Sequence, residues 1–183
     1  FHTNGLINRE PLLALLEVMN AVTVDLKAFT PEFYRRVCSS ELEPVLQTLQ
    51  TIRETDRHLE VVNLVIPGKN DDPQDIRRMC AWIKTNLGDD VPLHFTRFFP
   101  AYKLQRLPPT PVETLEAAAA VADAEGLQYV YIGNVPGHRR NSTFCPRCGE
   151  TLIFRIHFAV MELKLDQGKC PACGHEIPGI WWD

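Results

Sequence analysis

The sequence predicts an α/β fold, in which a section of a parallel barrel is followed by a small metal-binding module. The first observation is a repeat of short β-branched or aromatic runs separated by helix-like segments, with centres near Val24, Val62, Phe95 and Val130. Repeated βα units of this length imply a parallel sheet, and consecutive right-handed crossovers curl such a sheet into a barrel or part of one. The second observation is a pair of C-P-x-C-G motifs near the C-terminus.

These patterns divide the 183 residues into three parts. Residues 1–137 contain the repeated runs and are predicted to form the barrel section. The composition then changes to a polar, basic stretch, so we predict a linker over residues 138–144. Residues 145–183 carry both cysteine motifs around a predicted strand pair, and we predict that they form a four-cysteine zinc ribbon.

Periodicity and breaker residues predict the individual elements. In chain order they are a helix over 11–20, a strand over 21–27, a short helix from 31 to about 37, a helix over 43–54, a strand over 59–66, a helix from 73 to about 87, a strand over 92–99, a helix from 111 to about 125 and a strand over 128–132. Thr30 and Asp72 are predicted N-caps. Residues 110–113 are a predicted capping box, and Gly126 is a predicted helix stop.

The strand over residues 21–27 is the first candidate for a functional site. Side chains alternate along a strand, so Thr23, Asp25 and Lys27 share one face. A carboxylate and an ammonium would then lie side by side at the carboxyl end of a parallel strand, where α/β proteins bind ligands. An ion pair with no further role fits the same pattern. A third interpretation makes Lys27 a Schiff-base nucleophile, although Asp25 beside it would keep the ammonium charged.

The overall composition narrows the functional classes. A net charge of −4 argues against general nucleic-acid binding, although a local basic cluster lies at residues 138–140. No stretch approaches the roughly 20 apolar residues of a membrane span. Residues 1–5 resemble the end of a strand followed by a turn, which predicts that the chain is a fragment with further sequence upstream.

The six cysteines predict a metal site. Cys145 and Cys148 form one C-x2-C pair, and Cys170 and Cys173 form another after an interval of 21 residues. Four thiolates suit a closed, structural, tetrahedral Zn²⁺ site, while a rubredoxin-like iron site uses the same chemistry. Metal ligation in place of disulfides predicts a reducing, cytoplasmic compartment. The remaining two cysteines are expected to be packing residues.

Several strand-end motifs resemble the later half of a radical SAM enzyme. They are TNG at 3–5, DLK at 25–27, LVIPG at 64–68 and FFPAY at 98–102. The chain resembles the pyruvate formate-lyase activating enzymes and, more nearly, the AmmeMemoRadiSam system radical SAM enzymes. The latter resemblance adds residues 108–115, residues 129–138 and the two C-P-x-C-G motifs.

The resemblance implies a partial (β/α)6 barrel, in which S-adenosylmethionine lies across the strand ends above a [4Fe-4S] cluster. It implies that Asp25 and Lys27 lie at the ribose and carboxylate side of this cofactor and that Leu64 and Tyr102 lie near its adenine. Thr3 and Asp25 match positions around a monovalent-cation site. The implied reaction is reductive cleavage to a 5′-deoxyadenosyl radical, with a flavodoxin or ferredoxin as reductant and an unidentified small molecule or protein as substrate.

The chain also departs from that family. It contains no C-x3-C-x2-C cluster motif and no Gly-Gly-Glu segment, so the cluster ligands are expected upstream and this fragment alone is expected to be inactive. His2 and Val62 replace an acidic residue and an arginine of the activating enzymes. An alternative function is therefore a zinc-ribbon binding module on a catalytically incomplete barrel.

Overall fold

The computed structural model describes residues 1–156 and 159–181. Five parallel strands form the larger sheet: β1 (His2–Thr3), β2 (Ala21–Asp25), β3 (His58–Val65), β4 (Leu93–Arg97) and β5 (Val130–Gly133). They lie side by side in chain order. Because the order never reverses, right-handed crossovers place every intervening helix on the same face of the sheet.

Five α-helical segments connect these strands, namely α1 (Arg9–Leu16), α2 (Pro31–Phe33), α3 (Glu43–Arg53), α4 (Pro73–Asn86) and α5 (Val112–Glu125). A π-helical turn, Tyr34–Cys38, continues α2. The predicted order of strands and helices is confirmed, with boundaries shifted by a few residues. The sheet is open, with β1 and β5 at its edges, and the six-strand barrel remains a prediction.

Side-chain alternation gives the parallel sheet two different faces. Along β3, every second residue from Leu59 to Val65 is buried. The apolar ones pack with the apolar stripes of the helices in one continuous core, in which Phe95 and Ile52 are fully buried. The opposite face, which we call the polar face, carries Asp25, Glu60 and other partly exposed polar side chains.

Three of the predicted helix-end signals are confirmed, and one is wrong. Thr30 Oγ1 accepts a hydrogen bond from the backbone N–H of Phe33, and Asp72 caps α4. Gly126 ends α5 in the left-handed conformation, with a φ of 87°. The predicted capping box at residues 110–113 is wrong. Thr110 is fully buried, and its hydroxyl bonds strands of the sheet instead of the helix N-terminus.

The C-terminal region forms a second, antiparallel sheet from β6 (Thr143–Phe144), β7 (Thr151–Ile156) and β8 (Ala159–Leu163). We call residues 143–181 the four-cysteine module. Its small apolar cluster includes Tyr129 and Tyr131 from the parallel sheet, so the module packs against the polar face beside β5. Trp181 also packs against this cluster, while Trp182 lies outside the described residues. Within the described residues, no helix combines the length and apolar character needed to cross a membrane.

Candidate functional site

Asp25 and Lys27 form the expected ion pair at the carboxyl end of β2. Lys27 Nζ lies 2.8 Å from Asp25 Oδ2, and His2 Nε2 lies 3.0 Å from the other carboxylate oxygen. The side chain of Asp25 is 25% exposed and that of Lys27 is 38% exposed. The carboxylate therefore has two partners from two strands and still borders solvent.

This arrangement stabilises the charged form of Asp25. Burial alone would raise the pKa of the carboxyl, but hydrogen bonds from Lys27 and His2 outweigh burial and hold the pKa below its usual value. Lys27 Nζ, the atom that Schiff-base chemistry would use, is already hydrogen-bonded to Asp25 Oδ2. The geometry thus favours a polar binding role for the pair over a nucleophilic lysine.

Buried polar side chains hold the carboxyl ends of neighbouring strands together. The amide nitrogen of Asn70 donates to the carbonyls of Lys27 at 2.6 Å and Leu64 at 2.9 Å, and its oxygen accepts from Ile66 N at 2.6 Å. Thr110 Oγ1 similarly donates to Val65 O at 2.6 Å. These bonds fix the exits of β2 and β3 relative to each other, so the site rests on a rigid edge.

An apolar cavity of about 220 Å³ adjoins the ion pair. Lys27 and Leu64 both line it, together with Tyr34 and Cys38 from the π-helical turn. The Tyr34 hydroxyl accepts a hydrogen bond from the backbone N–H of Lys27 at 3.1 Å, which anchors the turn beside the strand exit. A charged group at the edge of an apolar cavity suits a ligand with one polar end and one flat, apolar end.

The five predicted cofactor residues are not all in contact. Asp25 and Lys27 are bonded, and Leu64 shares the cavity with Lys27. Thr3 lies on β1 beside β2, where its hydroxyl accepts from the backbone N–H of Gly5. Tyr102 is 81% exposed after β4 and does not line the cavity. Its backbone has a left-handed φ of 48°, which few residues other than glycine adopt.

A second polar cluster lies on the polar face and was not predicted from the sequence. Glu60 bonds the Nε2 atoms of His58 and His94, each at 3.1 Å. Burial alone would raise the pKa of Glu60, but the two imidazole hydrogen bonds hold it well below its usual range. Tyr131 stacks on His94, with ring centroids 4.8 Å apart. The sequence did contain a signal for this cluster, because the alternation of side chains along a strand places these residues on the same face of three successive strands.

The four-cysteine module brings together the thiols of Cys145, Cys148, Cys170 and Cys173, whose sulfur atoms all lie within 4.8 Å of one another. The closest pairs are 3.6 Å apart. Four sulfurs bound at about 2.3 Å around one tetrahedral ion would be separated by about 3.8 Å. The geometry therefore fits one metal ion, which this group could bind, and is too compact to ligate the corners of a [4Fe-4S] cluster.

Matching turns present the two cysteine pairs. The backbone N–H of Gly149 donates to the carbonyl of Cys145 at 2.9 Å, and Gly174 does the same to Cys170 at 2.8 Å. Both glycines have a positive φ, of 77° and 71°. Glycine adopts this conformation without strain, and so allows each chain segment to turn around the thiols.

Comparison with known proteins supports a distant relationship to the radical SAM superfamily. Over 76 residues, 42% of this chain and 31% of the relative, the sequence is 26% identical to the pyruvate formate-lyase-activating enzyme of Listeria monocytogenes. It is 45% identical over 177 residues to the uncharacterized protein MJ0808 of Methanocaldococcus jannaschii, covering 96% of this chain and 52% of that protein. The chain thus spans about half the length of that relative. No protein-family model matches the chain.

Two solved structures share the fold. A domain of pyruvate-formate lyase-activating enzyme from Bacteroides vulgatus superposes with a TM-score of 0.62 at 16% identity, covering 72% of this chain and 79% of that one. A radical SAM methyltransferase from Sphaerobacter thermophilus gives a TM-score of 0.54 at 16% identity, covering 73% and 40% respectively. The parallel sheet described above is therefore of the kind found in radical SAM domains.

Proposed function

We propose that this chain is part of a radical SAM enzyme of the AmmeMemoRadiSam system kind, and that it binds S-adenosylmethionine at the carboxyl ends of β2 and β3. The observation that carries the proposal is the Asp25–Lys27 pair beside an apolar cavity at the strand ends. Sequence similarity to an activating enzyme and the shared fold support the same class.

The residues at the strand ends fit the chemistry of this cofactor. S-adenosylmethionine has a carboxylate, an ammonium and ribose hydroxyls at one side and an adenine at the other. Lys27 is the matching cation for the carboxylate, and Asp25 accepts hydrogen bonds from hydroxyl or ammonium groups. Leu64 offers an apolar contact for the adenine, with Tyr102 as a further contact after β4. Thr3 and His2 border the polar side.

The remaining parts of the proposed enzyme lie outside the described site. When S-adenosylmethionine and a [4Fe-4S] cluster are bound, they supply a 5′-deoxyadenosyl radical for hydrogen abstraction from a substrate. Because the four C-terminal thiols do not fit such a cluster, we assign its ligands to protein outside these 183 residues. A flavodoxin or ferredoxin is the proposed electron donor, and the proposed substrate is a small molecule or protein in the cytoplasm.

The second candidate function is a zinc-stabilised binding module on a catalytically incomplete barrel. The observation that favours it is the complete four-thiol site in a chain that has no cluster motif. We propose Zn²⁺ as the bound ion, since four thiolates at tetrahedral spacing suit it. Both functions assign the metal a structural role, and they differ in whether the strand ends bind S-adenosylmethionine.

The proposal is tested by titrating the chain with S-adenosylmethionine and recording the backbone amide chemical shifts at each step. We expect saturable shifts at Asp25, Lys27 and Leu64. Asp25→Asn and Lys27→Met should each weaken binding at least about tenfold, because each removes a charge-assisted contact. Asp90→Asn is the matched control, since Asp90 pairs with Arg53 away from the strand ends. Absence of binding, or equal binding by all variants, would contradict the assignment.

A further inference from the structure

Two cavities lie between the polar face of the parallel sheet and the four-cysteine module. Their volumes are about 300 Å³ and about 250 Å³. Glu60, Tyr131 and Arg155 line both cavities, so the two spaces meet at these side chains. The larger one extends along β5 to Asn134. Its volume is at the small end of the range for small-molecule sites, about 300 to 1,000 Å³.

Arg155 brings a positive charge from β7 to the boundary between these cavities. Its Nη1 group donates to Thr143 Oγ1 at 2.8 Å and to the carbonyl of Asn141 at 3.4 Å. Thr143 Oγ1 is also 2.9 Å from the Tyr131 hydroxyl, so the guanidinium is held in place. Within residues 1–156 and 159–181, the structure shows no carboxylate in salt-bridge contact with Arg155 and no acceptor bonded to its Nε or Nη2.

The neighbouring charges do not neutralise this guanidinium by contact. Both oxygens of Glu60 are hydrogen-bonded to the imidazoles of His58 and His94. Arg140, which also lines the larger cavity, is paired with Asp123. Among the described residues that line these cavities, Arg155 is therefore the cation that is available to bind a ligand. A half-buried guanidinium is stabilised by an oxyanion, which its fork can bind through two parallel hydrogen bonds.

Asn141 provides a second unpaired group at the larger cavity. Its amide nitrogen donates to the carbonyl of Ile132 at 2.7 Å. Its buried Oδ1 atom has no hydrogen-bond partner among the described residues. A buried acceptor without a donor costs free energy.

We propose that the cavity between the polar face and the four-cysteine module binds a small ligand that carries a carboxylate or phosphate group, with Arg155 as the cation that recognises it. The site is separate from the proposed cofactor site, because neither cavity is lined by Asp25, Lys27 or Leu64. It also gives the module a role in binding, since β7 supplies the guanidinium.

The test is a titration of the zinc-loaded chain with inorganic phosphate and, separately, with malonate, at constant ionic strength. Nuclear magnetic resonance would follow the side-chain Nε–H of Arg155 and the side-chain amide of Asn141. We expect saturable shifts of both signals with at least one probe. The probe that binds more tightly distinguishes phosphate from carboxylate as the recognised group. Neither S-adenosylmethionine nor a cluster is needed, so the result is independent of the proposed enzymatic function.

Variants at Arg155 decide whether binding occurs at this site. Arg155→Gln should weaken binding at least about tenfold, and Arg155→Lys should give an intermediate loss because it keeps the charge without the planar fork. Arg106→Gln removes an equal charge from an exposed position and should bind like the wild type. If Arg155→Gln does not fold, Arg155→Lys serves as the test variant. The proposal is overturned if neither probe gives saturable shifts, or if the folded Arg155 variants bind as tightly as the wild type.

Discussion

The parallel-sheet region and the four-cysteine module are stabilised in different ways. The first contains a continuous core of 33 buried apolar residues drawn from its strands and helices. In the module's cluster, six buried residues are described, and two of them are the thiols Cys145 and Cys170. Apolar burial can stabilise the first region by itself, whereas a module of about 40 residues usually needs a metal or another cross-link.

Polar groups beside the two proposed sites are engaged differently. In the parallel-sheet region, Asn70 and Thr110 are buried and fully engaged in fixing strand ends. In the module, Arg155 and the neighbouring Asn141 border a cavity and have hydrogen-bonding groups without a described partner. In our two proposals, the sheet supports both sites and the module completes the second one.

Metal removal should have the largest effect and should separate the two regions. With a chelator, or in Cys148→Ser, we expect the module to lose its fixed structure while the parallel sheet remains folded. Structural zinc binding contributes about 10–16 kcal/mol in zinc-finger peptides, far more than so small an apolar cluster supplies. Amide spectra of the two regions, recorded with metal analysis, would measure the effect.

Cys38→Ala is the matched control, because Cys38 lies outside the four-thiol group. This variant should keep one metal ion per chain and a dispersed module spectrum. A module spectrum that is unchanged by complete metal removal would show that apolar packing alone stabilises this region and that the metal is not required.

Shortening a side chain in the main core should have the next largest effect, and this effect should fall on the parallel-sheet region. Phe95 is fully buried on β4, and Phe95→Ala should lower the free energy of unfolding of the parallel-sheet region by about 3–5 kcal/mol. Urea unfolding measures this loss, and the bound metal should be retained. Phe99→Ala, at a side chain that is 52% exposed, should change stability much less. Similar losses in the two variants would argue against a packed core at β4.

Loss of the buried asparagine at the strand ends should have an intermediate effect. Asn70→Ala removes three hydrogen bonds to backbone groups, and we expect a cost of about 1–3 kcal/mol in urea unfolding. The amide shifts of Lys27 and Leu64 should also change. Asn86→Ala removes an exposed asparagine that bonds one backbone carbonyl and the side chain of Gln50, and it should cost less because these contacts are open to solvent. If both variants are equally stable, Asn70 does not fix the strand ends.

The smallest predicted effect is a change in acid stability. The pKa of Glu60 is lowered in the folded state, so its stabilising contribution is present above its ordinary pKa of about 4.3 and is lost as the pH falls below that value. Glu60→Gln should therefore have a shallower loss of stability between about pH 5 and pH 3 than the wild type. Thermal unfolding across this range, with exposed Glu10→Gln as control, would test it. If stability falls equally steeply with pH in the wild type and in Glu60→Gln, the Glu60 carboxylate makes no such contribution to stability.

Local sequence signals predicted much of the architecture and part of the site. Strand and helix order followed from periodicity, and the ion pair of Asp25 and Lys27 followed from alternation within one strand. The two repeated cysteine motifs predicted that the four thiols lie close together, as the structure shows. Each of these inferences needs information only from neighbouring positions or from a short repeat.

Features that depend on distant contacts were missed. Thr110 matched a helix cap locally, but the fold places Val65 and Phe98 within hydrogen-bond distance, and the hydroxyl bonds them instead. Asn70 was not among the predicted site residues, because its three partners are backbone groups at the ends of two strands. The cavity at Arg155 could not be predicted from the sequence either, because its walls come from β3, β4, β5 and β7. Periodicity cannot show which side chains meet across such separations.

The most direct test of the proposed enzyme class is to assay the protein encoded by the complete gene. If the proposed class is right, the coding region upstream of Phe1 contains a C-x3-C-x2-C motif. After anaerobic cluster assembly and reduction, the protein should convert S-adenosylmethionine to 5′-deoxyadenosine, and Asp25→Asn should lower the yield. A complete protein without that motif, or one whose reduced cluster forms no 5′-deoxyadenosine, would contradict the assignment and favour the zinc-stabilised binding module.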